Sequence, residues 1–360
     1  MIIKMPSFIF FILIVLVFNA CNSKSGPDSK YSDFMSVKNI QLEEHDVSVL
    51  LGMPMDMLVM NDLIIILDAQ TDKFFHVISK DSFNHLGSFI RKGRGPGEEV
   101  YINPFFKLHA NNEILYQSDN DLKVAKINMT GNSIDMVILN KYELPDEMHE
   151  GVDFFLVNNF IFNSNYLDTA SKDYFVYNME TGQVSEWGES HHFSDKRIPQ
   201  YMLPYYNAKL TTVNSKENLI VSVFNNFPIL RMYSLETEEM IIELQMSDAS
   251  HNREVMLTGQ GQPGSGGLIS YYHGIKSTDD YIYALYGGLA VMDHFKEGEE
   301  PYHYDFSREI HIWKWDGTPV MKLILDRPVA SFDVTPDNKK IIATSVVNTD
   351  KLFEAVIPWD

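Results

Sequence analysis

The sequence predicts an all-β fold: a six-bladed β-propeller of four-stranded antiparallel blades, its ring closed by an N-terminal strand in the last blade. Three observations predict it. A polar turn followed by a short apolar run recurs six times along the 360 residues. Each run is flanked on both sides by further short runs rich in β-branched and aromatic residues. No stretch sustains helical periodicity over three turns.

The six runs are NDLIIILD from Asn61, NNEILYQSD from Asn111, NNFIFNSN from Asn158, ENLIVSVF from Glu217, DDYIYALY from Asp279 and DNKKIIATSV from Asp337. Their first apolar residues, Leu63, Ile114, Phe160, Leu219, Tyr281 and Ile341, are spaced 51, 46, 59, 62 and 60 residues apart. The Asn/Asp turns ahead of them suit tight hairpins. An inner strand precedes each run: MDMLVM, FFKLHA, VDFFLV, AKLTTV, GIKST and ASFDVT. A third strand follows it (FFHVIS, LKVAKIN, YFVYNM, ILRMYS, IHIWKW, LFEAVI), then a turn such as Thr181-Gly182 or Asp316-Gly317, then a fourth strand. Four short antiparallel strands repeated around an axis make a propeller. The sixth unit stops at its third strand. Its missing fourth is expected from VKNIQLEE, Val37 to Glu44, which would close the ring and bring the N-terminal tether close to the seam between first and last blades.

The first 20 residues read as a signal peptide: one positive charge at Lys4, an apolar run from Phe8 to Phe18, then Asn19 and Ala20. Cys21 is the single cysteine and follows directly. That layout resembles a bacterial lipobox, with Phe18 where Leu is usual, and implies lipidation of Cys21. Residues 21–32 are polar and rich in Ser, Gly and Pro, as a flexible tether requires, and 33–360 form the propeller.

The segment FIRKGRGPGEEVYINPFFKLHANNEILYQSDNDLKVAKIN resembles an NHL-type repeat, with a G-x-G-P-G-E turn, a proline, a short strand and a strand ending in Asp. More broadly the chain resembles the TolB-like six-bladed propeller lipoproteins of Gram-negative bacteria. The resemblance implies a binding or scaffold module at the cell envelope, facing the periplasm or the cell surface. The position five residues after each first apolar residue reads Asp68, Asp119, Asn165, Phe224, Tyr286 and Val346, so the family's polar signature fades in the later blades.

Composition narrows the function. The formal net charge of −20, with no Lys/Arg cluster, disfavours nucleic acid and anionic lipid surfaces, leaving the lipid anchor as the membrane contact. RKGRGPGEE lacks the Lys-Ser/Thr pair and following helix of a phosphate loop, so it is expected to be a turn. Neither a cofactor nor a metal is expected. His191, His192 and Asp195 are weighed as metal ligands and set aside because adjacent histidines in extended chain point apart. The Asp119–Asp121 turn is set aside as a calcium loop, and Ser265 as a nucleophile, because each lacks the rest of its motif.

Short turns fall on one face of the disc, and the long connections Arg91–Pro104, Asn140–Gly151, Gly188–Asn207, Ser247–Tyr272 and Gly287–Arg308 on the other. Long loops on a rigid scaffold commonly bind. Candidate contacts there are Arg91, Arg94, Tyr201, Tyr205, Tyr206, Tyr272, His273 and Tyr286, with Tyr271 beside them. Expected partners are an envelope protein or a small ligand such as a glycan or peptide. The alternative is a glycan lyase or hydrolase with its catalytic groups drawn from several blades.

Overall fold

The computed structural model describes residues 32–109, 112–130, 133–149, 151, 153–164, 172–189, 198–258, 267–290 and 307–359. They form six antiparallel blades. Blade one is β3–β6 (Pro54–Met60, Leu63–Asp68, Lys73–Ser79, His85–Arg91) and blade two β7–β10 (Lys107–His109, Glu113–Ser118, Asp121–Thr130, Ser133–Glu143). Blade three is β11–β14 (Phe154–Val157, Phe160–Ser164, Tyr174–Asn178, Gln183–Trp187) and blade four β15–β18 (Lys209–Asn214, Leu219–Phe224, Ile229–Ser234, Met240–Gln245). Blade five is β19–β22 (Ile269–Ser277, Tyr281–Ala290, Ser307–Lys314, Pro319–Val329) and blade six β23–β25 (Ser331–Val334, Lys340–Thr344, Lys351–Val356).

The core is a ring of packed seams between blades. In β4, Ile64 and Ile66 pack toward blade six, while Leu63, Ile65 and Leu67 pack toward blade two. A strand buried on both faces reads as an unbroken apolar run, hence LIIILD. Asparagine sets the first hairpin of several blades: Asn61, Asn112, Asn158, Asn218 and Asn338 have φ of 52°, 57°, 51°, 55° and 60°. Asn tolerates that left-handed region better than other non-glycine residues.

An N-terminal strand closes the ring in blade six as expected, but the strand is not the expected stretch. Val37–Glu44 does not form one strand. Residues Ser36–Ile40 form β1, which lies parallel to β22 as a fifth strand on blade five. Residues Glu43–Asp46 form β2, the antiparallel fourth strand of blade six. Between them Ile40 and Leu42 sink into the seam of blades five and six, and the Leu42 N–H donates to Asp326 Oδ1 at 3.1 Å. Burying those two side chains bends the chain from one blade to the next. The tether also enters elsewhere than expected. Ser32 N–H donates to Gln245 O on blade four, and Phe34 packs on His311 and Trp313 of blade five, away from the seam of blades six and one.

A two-turn helix, Ser250–Thr258, stands in the crossing from blade four to blade five, where no helix was expected. It buries only Asn252 and Met256, too few residues to show a helical period. Asn252 fixes it by donating to Asn226 O and Ile269 O and accepting from Ile269 N–H.

Candidate functional site

Crossings between blades run over 92–106, 144–153, 188–208 and 246–268, whereas hairpins of two residues join β3 to β4 and β11 to β12. Antiparallel order puts these two kinds of connection on opposite faces. The inner strands β3, β7, β11, β15, β19 and β23 converge on the axis and line a cavity of about 410 Å3. Such a volume suits a small ligand.

Every inner-strand run carries one Asp or Lys: Asp56, Lys107, Asp153, Lys209, Lys276 and Asp333. The fold brings five of them to the cavity wall. Lys107 Nζ lies 2.5 Å from Asp153 Oδ1 and donates to Thr211 O at 2.6 Å. Lys276 Nζ donates to Asp56 Oδ1 at 2.8 Å, joining blades five and one. Inner strands are sheet edges with backbone amides free of a ladder partner, and acids of the preceding blade satisfy two of these amides. Asp153 Oδ2 accepts the Thr211 N–H and Asp333 Oδ2 the Val59 N–H, both at 2.6 Å. Asp333 Oδ1 accepts its neighbour Val334 N–H at 2.8 Å. Burial pushes the Asp333 carboxyl up to about 6 against the pull of Lys276, and burial also raises Asp56 despite the same lysine. The sixth residue, Lys209, turns into the seam of blades three and four, with its Nζ 3.5 Å from Asp173 Oδ1.

The expected site residues divide. Arg91 and Arg94 are exposed beside the glycine-rich turn, which is indeed a turn. Its anion position is filled from within. Glu98 Oε2 accepts the Gly95 N–H at 2.8 Å, and a Cβ on Gly93 would lie 2.0 Å from the same oxygen. Glu99, buried behind the turn, pairs with Lys123 and accepts from Ser118. Tyr201 and Tyr205 are exposed on the long-connection face, whereas Tyr206 is buried against Phe227.

Tyr271, Tyr272 and His273 lie in β19 rather than in a loop. Bulges at Ser270/Tyr272 and Tyr272/Gly274 break the alternation that would have marked that strand. Tyr272 is fully buried, with its hydroxyl 3.2 Å from His311 Nδ1, and His311 Nε2 is 3.2 Å from Glu309 Oε2. Burial pulls His311 down to about 4, so the neutral ring donates from Nε2 to the carboxylate and accepts from Tyr272. Half-buried Tyr286 stacks on this ring at 4.4 Å. Of the eight expected contacts, only His273 lines the axial cavity. Asp68, first of the fading polar series, is an internal cap: its carboxylate accepts the N–H groups of Gly52, Met53, Gln70 and Thr71. Cys21, Asn165, His191, His192, Asp195 and Ser265 lie outside the described residues.

One further hydroxyl sits between two imidazoles. Ser88 Oγ is 2.8 Å from both His76 Nδ1 and His85 Nε2, and His76 Nε2 is 2.8 Å from Thr71 Oγ1. Thr71 donates to Lys73 O, so His76 must donate to Thr71 and accept from Ser88, leaving His85 to donate to Ser88. Burial holds both histidines below their ordinary range. The chain ties β5 to β6 and does not reach the axial cavity.

A family model described as TolB-like 6-blade propeller-like matches residues 30–337. No curated protein matches the sequence. Among solved structures, a Bacteroides fragilis protein assigned as exported is 12% identical with a TM-score of 0.53, over 90% of this chain and 100% of its own. A DUF4221 family member from Bacteroides vulgatus is 9% identical with a TM-score of 0.47, over 88% and 97% of the two chains. The Pan2 WD40 domain of Neurospora crassa is 10% identical with a TM-score of 0.47, over 86% and 90%. At these identities the likeness is one of fold.

Proposed function

The chain belongs to the TolB-like family of six-bladed propellers, and on that premise we propose an exported, lipid-anchored binding module that holds a ligand or partner on its long-connection face, over the axial cavity. The single observation that carries this reading is the cavity itself, walled by all six inner strands. Exposed Leu50, Val100, Tyr101, Tyr205 and Val347, all on connections of that face, offer apolar contact area there. An envelope protein, a glycan or a peptide is the expected occupant. Lipidated Cys21 and the tether through residue 32 hold the module at the cell envelope.

Filling the cavity tests this. A Cβ on Gly274 would meet Leu285 and Phe332 at 3.7 Å, ordinary contact distances, so Gly274→Leu should fold and direct its remaining atoms into the cavity. Species that co-purify with the wild-type chain from its native membrane should be lost from this variant at unchanged melting temperature. Retention of the same species by the filled variant would remove the cavity from the account. Intact mass from the same preparation should show a mature chain beginning at an acylated Cys21, and an unmodified soluble chain would overturn the anchor.

A further inference from the structure

We infer that the axial cavity selects a small ligand carrying a cationic amine, with Asp333 as the group that reads its charge. The inference rests on the reading of that cavity as the ligand site and adds the chemical class. Three inner-strand carboxylates line the wall, Asp56, Asp153 and Asp333, against two inner-strand ammonium groups, Lys107 and Lys276; at the rim Lys216 pairs with Asp279, so one carboxylate stays in excess. Each lysine has a carboxylate of its own: Lys107 has Asp153 and Lys276 has Asp56. Asp333 has none, and its two oxygens accept only the backbone N–H groups of Val59 and Val334. A carboxylate has room for about four hydrogen bonds, so acceptor capacity is left over.

The rest of the wall is mixed: Phe105, Phe106, Phe155, Phe332 and exposed Leu108 give it an aromatic and apolar part, beside the hydroxyls of Thr211 and Ser277 and the rings of His109 and His273. An anionic ligand would meet the excess carboxylate of buried Asp333. A neutral ligand would gain only the apolar contact. A ligand with an ammonium group on an apolar body completes the third ion pair and takes up the aromatic surface as well. The groups that face Asp333 are Asp56, which pushes its proton affinity up, and Lys276 with the Val59 and Val334 amides, which draw it down. A bound ammonium adds to the second set, so binding expels a proton near the acid's own titration.

Three probes that share one phenol ring and differ in charge isolate the effect: tyramine, p-cresol and 4-hydroxyphenylacetate. Calorimetry on the full chain at neutral pH should find tyramine bound at least about tenfold more tightly than p-cresol, with the anion weakest. Asp333→Asn should bring tyramine close to p-cresol and leave p-cresol unchanged. If that variant does not fold, the wild type alone still decides: tyramine binding near pH 6 should release protons, read as a dependence of the heat on buffer ionisation, and near pH 8 it should not. Equal binding of all three probes would keep the cavity as a site and discard its charge preference. No binding by any probe, or tyramine binding without proton release near pH 6, would overturn the inference. Partner capture on the long-connection face is read separately through the Gly274→Leu variant.

Discussion

Two clusters of acids and bases in this propeller differ in their charge balance and in their surroundings. In the seam of blades three and four, Arg231 donates to Asp173 at 2.7 Å and to Glu243 at 2.6 and 3.0 Å, with Lys209 beside Asp173 and the Tyr233 hydroxyl on the same carboxylate. Two cations meet two carboxylates, and aromatic rings pack over them, Phe224 lying 5.1 Å from the Arg231 guanidinium carbon. The axial cluster has three carboxylates for two lysines and borders a cavity. A balanced cluster packed into a seam holds blades together. An unbalanced one beside open space is left able to receive a charge.

The sharpest test of that contrast is to break each cluster at its cation. Arg231→Met leaves Asp173, fully buried, without its strongest partner and should cost about 3–5 kcal/mol in a urea melt. Lys276→Met should cost less, about 1–3 kcal/mol, because burial has already raised Asp56 and the acid can take up a proton. The cost should shrink further as pH falls. Equal losses from the two substitutions would mean that the axial cluster is as purely structural as the other.

Asp333 sharpens the comparison through pH. Its folded value of about 6 lies above the ordinary 3.8, so the folded state binds more protons between those values. Its contribution to stability is therefore fully present below about pH 4 and lost as pH rises through 6. The total is about 3 kcal/mol, taken from the separation of the two values. Asp333→Asn should remove that slope from melting curves recorded across the window. Glu98→Ala, outside both clusters, should have the smallest effect, about 1 kcal/mol from the lost bond to Gly95, with ligand binding unchanged.

Most of the blade pattern was legible in the sequence because strands buried on both faces leave continuous apolar runs. β4 and β16 are read directly from LIIILD and LIVSVF. The N-terminal closure was legible, but not which residues make the closing strand: the bend at Ile40 and Leu42 depends on a seam formed by residues about 280 positions away, which no local pattern encodes. The site was harder. Tyr272 and Tyr206 drew attention as aromatics on connections, but burial makes them packing residues. The axial charges were overlooked, although each inner-strand run displays its lone Asp or Lys. Taken singly, such a residue reads as a solvated position in an edge strand. Only the closed ring brings Asp56 to Lys276 across 220 positions.

Amide resonances of selectively labelled valines give the most direct measurement of the central claim. Val59 donates its N–H to Asp333 on the axis, whereas Val100 and Val347 are exposed on the long-connection face. Titration with tyramine should shift Val59 and leave Val100 and Val347 in place. Shifts confined to the two exposed valines, or none at all, would contradict the assignment of the axial cavity as the ligand site.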